Sequence, residues 1–326
     1  MRSSIVIPNF NGLSYLSDCL NSLKHELDLK IDEVLLVDNA STDNSIEFVK
    51  ASFPFVKIIS LSENYGFSYA VNEGIKESTG EFVVLLNNDT QVCNGWLESL
   101  IKCIENDSSI FAVSSKMIRM NEKEKIDDAG DGLTLLGWAY KHGDGKHVDC
   151  YNYQKEVFSA CAGAAIYRKD IFKHIGVFDT NFFAYLEDVD ISYRAKVYGY
   201  KNMYCPSAKV YHVGSATSGS GKGGLNSFKV SISARNNVYM LYKNMPLLQL
   251  IINSPFLLLG FLWKFISYYR KGFGNDYYKG TVEGFKTLKK IKKLHYDPRF
   301  FGHYLNIELN LIGDTFRYYY NKLVLR

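Results

Sequence analysis

The sequence is short of the motifs that would make it easy to classify. Six cysteines stand among 326 residues, at positions 19, 93, 103, 150, 161 and 205. No two have CxxC spacing, so a zinc ribbon or a thiol-redox motif is not expected. Free thiols in a large core, kept reduced in a cytoplasm, are expected instead. No GxGxxG follows the first apolar run, and no GxxxxGK[ST] occurs, which argues against a dinucleotide fingerprint and a P-loop. Gly219-Ser220-Gly221-Lys222-Gly223-Gly224 imitates the latter without its spacing, and reads as a mobile loop or lid. The run after Met1 is too short for a signal peptide. The longest apolar stretch, Leu247 to Trp263, is broken by Gln249, Asn253, Ser254 and Pro255. A spanning helix needs about 20 apolar residues, so a clean transmembrane segment is not expected. Charge of one sign is also scarce: the formal net charge is +4, which gives no case for nucleic acid as a partner.

Hydrophobic residues make up 47% and charged residues 22%, near the globular average, which excludes disorder and fibrous repeats. The near-neutral balance is a cancellation. Residues 1–242 hold 24 Lys+Arg against 29 Asp+Glu, or −5, and residues 243–326 hold 14 against 5, or +9.

Along the first 120 residues, apolar runs at Ser3–Pro8, Glu33–Asp38, Val56–Ser60 and Phe82–Leu86 read as buried strands. Amphipathic segments Leu13–Glu26, Ser45–Ala51 and Phe67–Glu77 lie between them. This alternation predicts a doubly wound, mostly parallel α/β sheet. Ligands of such sheets sit outside the carboxyl ends of the strands. Those ends are polar: Pro8-Asn9-Phe10-Asn11-Gly12, Asp38-Asn39-Ala40-Ser41-Thr42-Asp43, Glu63-Asn64-Tyr65-Gly66-Phe67 and Asn87-Asn88-Asp89-Thr90. Turn chemistry accounts for any one of them; four at one sheet edge point to a site. Further on, Phe111–Met117 and Met203–His212 read as strands, Asp127–Asp149 as a long surface excursion, and everything beyond Leu225 as helical.

Three features carry candidate chemistry. Asp89 at a strand end suits a hard divalent cation, or an Asx-turn and cap for the helix starting near Gly95. Glu187, Asp188 and Asp190 open a helix. Asp188 and Asp190 lie about 200° apart on it, so one can face a cleft while the other pairs with Arg194 at the surface. A carboxylate in a first turn is favoured in its ionised form by the helix dipole, as a general base requires. His212 ends a strand beside the glycine-rich loop, where a metal or phosphate contact is credible.

Taken in order, these motifs, with Asn72, Gly163-Ala164-Ala165 and Gly214, resemble the family 2 glycosyltransferases of the A-type fold, rhamnosyltransferase-like members in particular, over residues 3–243. The resemblance implies a nucleotide-sugar-binding catalytic domain over 1–243 and a basic, aromatic-rich helical appendage over 244–326. It implies donor contacts from Pro8, Asn9, Asn11, Asp38, Asn64, Gly66, Asn72, Asn88 and Asp89, with Asp38 on the uracil or thymine ring. Asp89 and His212 would hold Mg²⁺ or Mn²⁺, with Asn87 where the family's first metal-binding aspartate stands. Asp188 would be the general base, beside Glu187, in an inverting transfer. Trp96, Asp128 and Trp138 are weaker candidates for shaping subsites. The donor implied is dTDP-rhamnose or a UDP-sugar. The acceptor implied is a cell-surface glycan or a polyprenyl-linked glycan at the inner face of the cell membrane. A glycan-binding scaffold that keeps the fold and a nucleotidyltransferase remain as alternatives.

In the basic tail, Val282, Phe285, Leu288, Ile291 and Leu294 form an apolar stripe at helical spacing, with Lys286, Lys289, Lys290, Lys292 and Lys293 around it. The tail is expected either to pack on the body or on a second subunit as a homodimer, or to lie in an anionic membrane interface.

Overall fold

The structure is a computed structural model and describes residues 1–214 and 225–324. The Gly219–Gly224 loop expected to be a lid lies outside the described residues. The chain opens with β1 (Ser3–Asn9), α1 (Leu13–Lys24), β2 (Asp32–Asp38), α2 (Ser45–Ser52), β3 (Val56–Ser60), α3 (Phe67–Glu77) and β4 (Phe82–Leu86). It continues with β5 (Thr90–Val92), α4 (Trp96–Glu105), β6 (Ile110–Arg119), β7 (Ile126–Asp128), β8 (Asp131–Leu133), β9 (Ala139–Lys141), β10 (Lys155–Val157) and β11 (Ala164–Arg168). Then come α5 (Phe172–Ile175), α6 (Glu187–Val197), β12 (Lys201–His212), α7 (Ser227–Asn244), α8 (Leu247–Arg270), α9 (Gly274–Lys286) and α10 (Phe301–Val324).

The main sheet runs β10-β12-β6-β11-β4-β1-β2-β3. Strands β3, β2, β1, β4, β6 and β12 share one direction, and β11 is set antiparallel between β4 and β6. Apolar clusters cover both faces. One includes Leu16, Leu20, Trp96 and Leu100 of α1 and α4; the other includes Val71, Ile75, Ile191 and Ala195 of α3 and α6. Burial on both faces explains why β4, Phe-Val-Val-Leu-Leu, shows no alternation. The common strand direction brings the carboxyl ends of β1, β2 and β4 to one edge.

Three expectations need correction. The Asp127–Asp149 segment is a surface excursion only in its second half, where Asp144, Gly145, His147 and Asp149 are exposed; the first half is not. It forms β7, β8 and β9, and buries Asp128, Leu133 and His142. The β8–β9 hairpin is clamped by the tail: Leu133 N–H donates to Asp314 Oδ2 at 3.1 Å and Trp138 Nε1 to the Gly260 carbonyl at 3.2 Å. The apolar stripe beyond Val282 is not one helix. Helix α9 stops at Lys286, a 3-10 turn follows, and Ile291 is buried with Leu288 and Leu294 packed nearby, so most of the stripe faces inward. Pro255, by contrast, does not end its helix; α8 runs through it for 24 residues. Proline removes the N–H that would reach the carbonyl of residue 251. Ser254 Oγ donates to that Ile251 carbonyl at 2.8 Å, supplying the missing partner.

The cysteines are unpaired, as expected, although Cys150 is exposed rather than in the core.

Candidate active site

The strand ends and the start of α6 enclose a cavity of about 840 Å³. Nine of the twelve residues nominated from sequence line it: Pro8, Asn9, Asn64, Gly66, Asn88, Asp89, Glu187, Asp188 and His212. Its floor is a chain of buried amides. Asn88 Nδ2 donates to Asn9 Oδ1 at 2.7 Å, and Asn9 Nδ2 donates to Asp38 Oδ1 at 2.8 Å. A Cβ on Gly12 would lie 2.0 Å from Asn88 Nδ2 and 2.4 Å from Asn9 Oδ1. Only glycine lets the β1 loop close over this pair.

The other three nominated residues are not in the cavity lining, and each has partners within the protein. Asp38 is fully buried, and its oxygens are taken by Asn9 and by the Ser41 N–H at 2.9 Å. It anchors Asn9 at the end of β1. Asn11 accepts from the Thr42 N–H at 2.8 Å, tying the β1 and β2 loops together. Asn72 spends both halves of its amide on the Phe178 backbone, at 2.7 and 3.0 Å. Of the weaker candidates, Trp96 is sealed in the core with its Nε1 on Ser115, and neither Asp128 nor Trp138 lines the cavity.

On one wall, His212 is held from both sides. Its Nδ1 lies 2.8 Å from Asp127 Oδ2, and its Nε2 lies 3.4 Å from Asp89 Oδ1. Lys141 Nζ pairs with the other Asp127 oxygen at 3.0 Å. Burial works against a charged imidazole, but the contacts with Asp127 and Asp89 prevail and push His212 up to about 9. Asp127 is likewise held well below the usual carboxylate range, because His212 and Lys141 outweigh its burial. Asp127 and Lys141 were missed from sequence. Their Gly- and Asp-rich surroundings read as loop, and only the fold brings them to His212.

Asp188 opens α6 on another part of the same lining. Its Oδ2 accepts from the Ala162 N–H at 3.3 Å and its Oδ1 from the Val189 N–H at 2.8 Å. Burial prevails over these donors and pushes its carboxyl upward, whereas the helix dipole alone would lower it. Glu187 is pushed up further by burial and by Asp188, and its Oε2 has no partner among the described residues. Asp190 is turned away, as the 200° offset requires, but its pairing is internal and not at the surface. It is fully buried against Arg194, Lys243 and Asn244.

The segment before Asp188 is strained. Phe183, Tyr185 and Leu186 have φ of 62°, 71° and 67°, which non-glycine residues rarely adopt. Buried Asn236 of α7 holds it in place, its Nδ2 lying 2.8 Å from each of the Phe182, Ala184 and Tyr185 carbonyls. Such strain persists where surrounding structure fixes it, and it clusters at functional sites. Asn236 and Asn39, which accepts from the Tyr65 N–H and donates to the Gly66 carbonyl, are further positioning residues.

The family model described as glycosyl transferase family 2 matches residues 4–176. The chain belongs to that family. A poly-beta-1,6-N-acetyl-D-glucosamine synthase of Staphylococcus aureus (strain COL) is 24% identical over 223 residues, which is 64% of this chain and 51% of that protein. An uncharacterised protein of Sinorhizobium fredii, y4gI, is 25% identical over 66% of this chain and 25% of its own length. The chain thus spans about half of one of these curated relatives and a quarter of the other. Among solved structures, a mannosyltransferase of Pyrobaculum calidifontis with GDP-Man and Mn2+ aligns with a TM-score of 0.54 at 16% identity, over 96% of this chain and 87% of that one. S. aureus TarS 1-349 in complex with UDP-GlcNAc gives 0.54 at 17% identity, over 91% and 94%. At these identities the likeness shows the fold, which is the glycosyltransferase A-type.

The wall at Asp89 fits a divalent cation in one respect. With Nδ1 committed to Asp127, the other ring nitrogen of His212 is fixed toward Asp89, which is how a carboxylate commonly orients a metal-binding imidazole. The set is sparse: no cluster of three or more His, Cys, Asp or Glu side chains suited to a metal occurs among the described residues. A cation here would take further oxygens from its ligand, as hard cations on phosphates do.

Proposed function

We propose that the chain transfers a sugar from a nucleoside-diphosphate sugar to a hydroxyl of a glycan or lipid-linked acceptor, with inversion at the anomeric carbon. The observation that carries this is the meeting, in one cavity at the sheet edge, of an α6 carboxylate with the Asp89–His212 pair. The donor's nucleotide lies over Pro8, Asn9, Asn64 and Gly66, and its diphosphate against Asp89 and His212. Asp188 accepts the acceptor's hydroxyl proton as that oxygen attacks the anomeric carbon. The bond to the diphosphate oxygen breaks, and the electron pair leaves with the nucleoside diphosphate. One displacement inverts the centre without a covalent enzyme intermediate. Asp89 and His212 would hold Mg²⁺ or Mn²⁺, which would supply Lewis-acid stabilisation of the leaving diphosphate. A rhamnosyl or hexosyl donor on dTDP or UDP is the reading favoured here; neighbours of this fold hold UDP-GlcNAc in one case and GDP-Man in another, which supports a nucleotide sugar as donor.

Replacing Asp188 by Asn removes the base and keeps the shape. Transfer should fall by about 10²–10⁴-fold, the usual contribution of general-base catalysis, while nucleotide binding by calorimetry stays unchanged. Near-normal turnover would overturn the assignment. A donor screen that follows release of UDP, dTDP or GDP identifies the sugar nucleotide.

A further inference from the structure

The tail carries an apolar surface that the fold leaves uncovered. Leu258, Leu262 and Trp263 of α8, and Leu305, Leu309 and Phe316 of α10, are each more than half exposed. The two helices meet where Gln249 and Asn253 donate to Glu308 at 2.7 and 2.9 Å. No charged residue occurs in the chain between Lys243 and Lys264, and exposed Arg270, Lys271, Lys286, Lys289, Lys290 and Lys292 follow. Exposed large apolar side chains gathered on adjoining helices mark an interaction site.

We infer that this α8–α10 face docks the enzyme on an anionic lipid surface, with both helices lying in the interface and the cavity presented to acceptors held in that surface. Three observations select this occupant. The tail's +9 charge suits anionic headgroups and repels a second copy of the same tail. Trp263, Tyr269, Tyr319 and Tyr320 are exposed on the same helices, and aromatic side chains of this kind favour the headgroup level. By length and composition α8 is apolar enough to cross a membrane, but it is pinned along its flank to the catalytic body. A Cβ on Gly260 would lie 2.2 Å from the Leu136 carbonyl, and Trp138 Nε1 bonds the Gly260 carbonyl itself. A helix so fixed lies along the surface in the manner of monotopic proteins.

The same contacts link the docking face to the site. Ala139, Tyr140 and Lys141 line the cavity. Trp138, one residue earlier, rests on α8, and the Tyr140 hydroxyl donates to the Asp314 carbonyl of α10 at 3.1 Å. One two-stranded hairpin therefore separates the lipid-facing helices from the cavity. The acceptor part of this inference rests on the transferase reading; the docking part does not.

Flotation of the full chain with phosphatidylcholine vesicles, with or without phosphatidylglycerol, tests the docking without any donor. Binding should require the anionic lipid and weaken with salt. Leu258→Glu with Leu262→Glu should reduce it by about tenfold or more, since each leucine withdrawn from the interface forfeits its apolar transfer energy. Lys289→Glu with Lys290→Glu, which touches no apolar contact, should weaken binding to anionic vesicles alone. Trp96 and Trp138 are buried, so a vesicle-dependent blue shift of tryptophan emission reports on Trp263. Donor hydrolysis should be equal in all three proteins, which separates failure of docking from failure of the transferase reading. Absence of vesicle binding, or self-association abolished by the leucine substitutions in lipid-free buffer, would overturn the inference.

Discussion

Replacing Asp190 by Asn tests how the helix that carries Asp188 is held. Asp190 accepts four hydrogen bonds while fully buried: from Arg194 Nε at 3.2 Å and Nη2 at 2.8 Å, from Lys243 Nζ at 3.0 Å, and from Asn244 Nδ2 at 2.8 Å. Removing one member of a buried ionic group typically costs about 3–5 kcal/mol, because the remaining charges stay buried. Here Lys243 keeps Asp179 at 2.7 Å and Arg194 keeps the Ile175 and Val177 carbonyls, so the lower end applies, about 3 kcal/mol. An unfolding entropy of roughly 2.1 cal/mol/K per residue makes 1 kcal/mol worth about 1.5 °C in a chain this long, and the melting temperature should fall by about 4–5 °C. The pH dependence supplies a second arm. The paired cations outweigh burial and hold the Asp190 carboxyl below its ordinary value. Its contribution is therefore complete above the unfolded-state value near 3.9 and is lost as pH falls through the lower folded-state value. The stability gap between wild type and variant, read by urea unfolding, should stay constant from neutral pH to about pH 4 and close below that. A gap under about 1 kcal/mol at neutral pH would refute the network, since that is the size of an exposed ion pair.

Two other outcomes follow from the cavity wall and the base. Asp127→Asn frees the His212 ring, and Mn²⁺ affinity measured by electron paramagnetic resonance should drop by about 10–100-fold, the usual cost of losing a carboxylate behind a metal-binding histidine; unchanged affinity would place the cation elsewhere. Burial raises the Asp188 carboxyl, so the acid limb of the pH profile for transfer should lie above the ordinary aspartate value of about 3.9, with activity lost as the base is protonated, and a limb at or below that value would contradict the assignment.

What was legible in the sequence depended on whether a residue's partners were near it in the chain. β1 to β4 and the helices between them could be placed closely because their apolar runs are buried on both faces of one sheet. The polar strand ends were legible as a site for the same reason: the topology brings them together. Their individual roles were not. Asp38 and Asn72 look like ligand contacts in the motif, and the motif gives no sign of the partners the fold provides, Asn9 and the Phe178 backbone. Lys116 gave no signal at all. It sits in β6 with its ammonium on the Cys150 carbonyl and Asn152 Oδ1, at 2.8 and 2.6 Å, and so holds a loop more than thirty residues away.

The Asp127–Asp149 segment shows why composition misled there and why it matters for function. Asp, Gly and His are the residues of solvated loops, and locally nothing contradicts that. The tail changes their environment: Asp314 takes the Leu133 N–H and Gly260 takes the Trp138 indole, so residues some 120 to 180 positions downstream bury the hairpin. The two ends of that segment have different tasks. At one end Asp127 reaches back to His212 and fixes which ring nitrogen faces Asp89; at the other Trp138 and Tyr140 bind the helices with the uncovered apolar face. The residues that hydrogen-bond α8 and α10 thus adjoin the cavity-lining Ala139, Tyr140 and Lys141, and Lys141 is itself paired with Asp127. The tail thus supports the hairpin whose residues line the site, so a version of the chain cut after α7 would lose the partners that bury the β8–β9 hairpin along with the exposed apolar face.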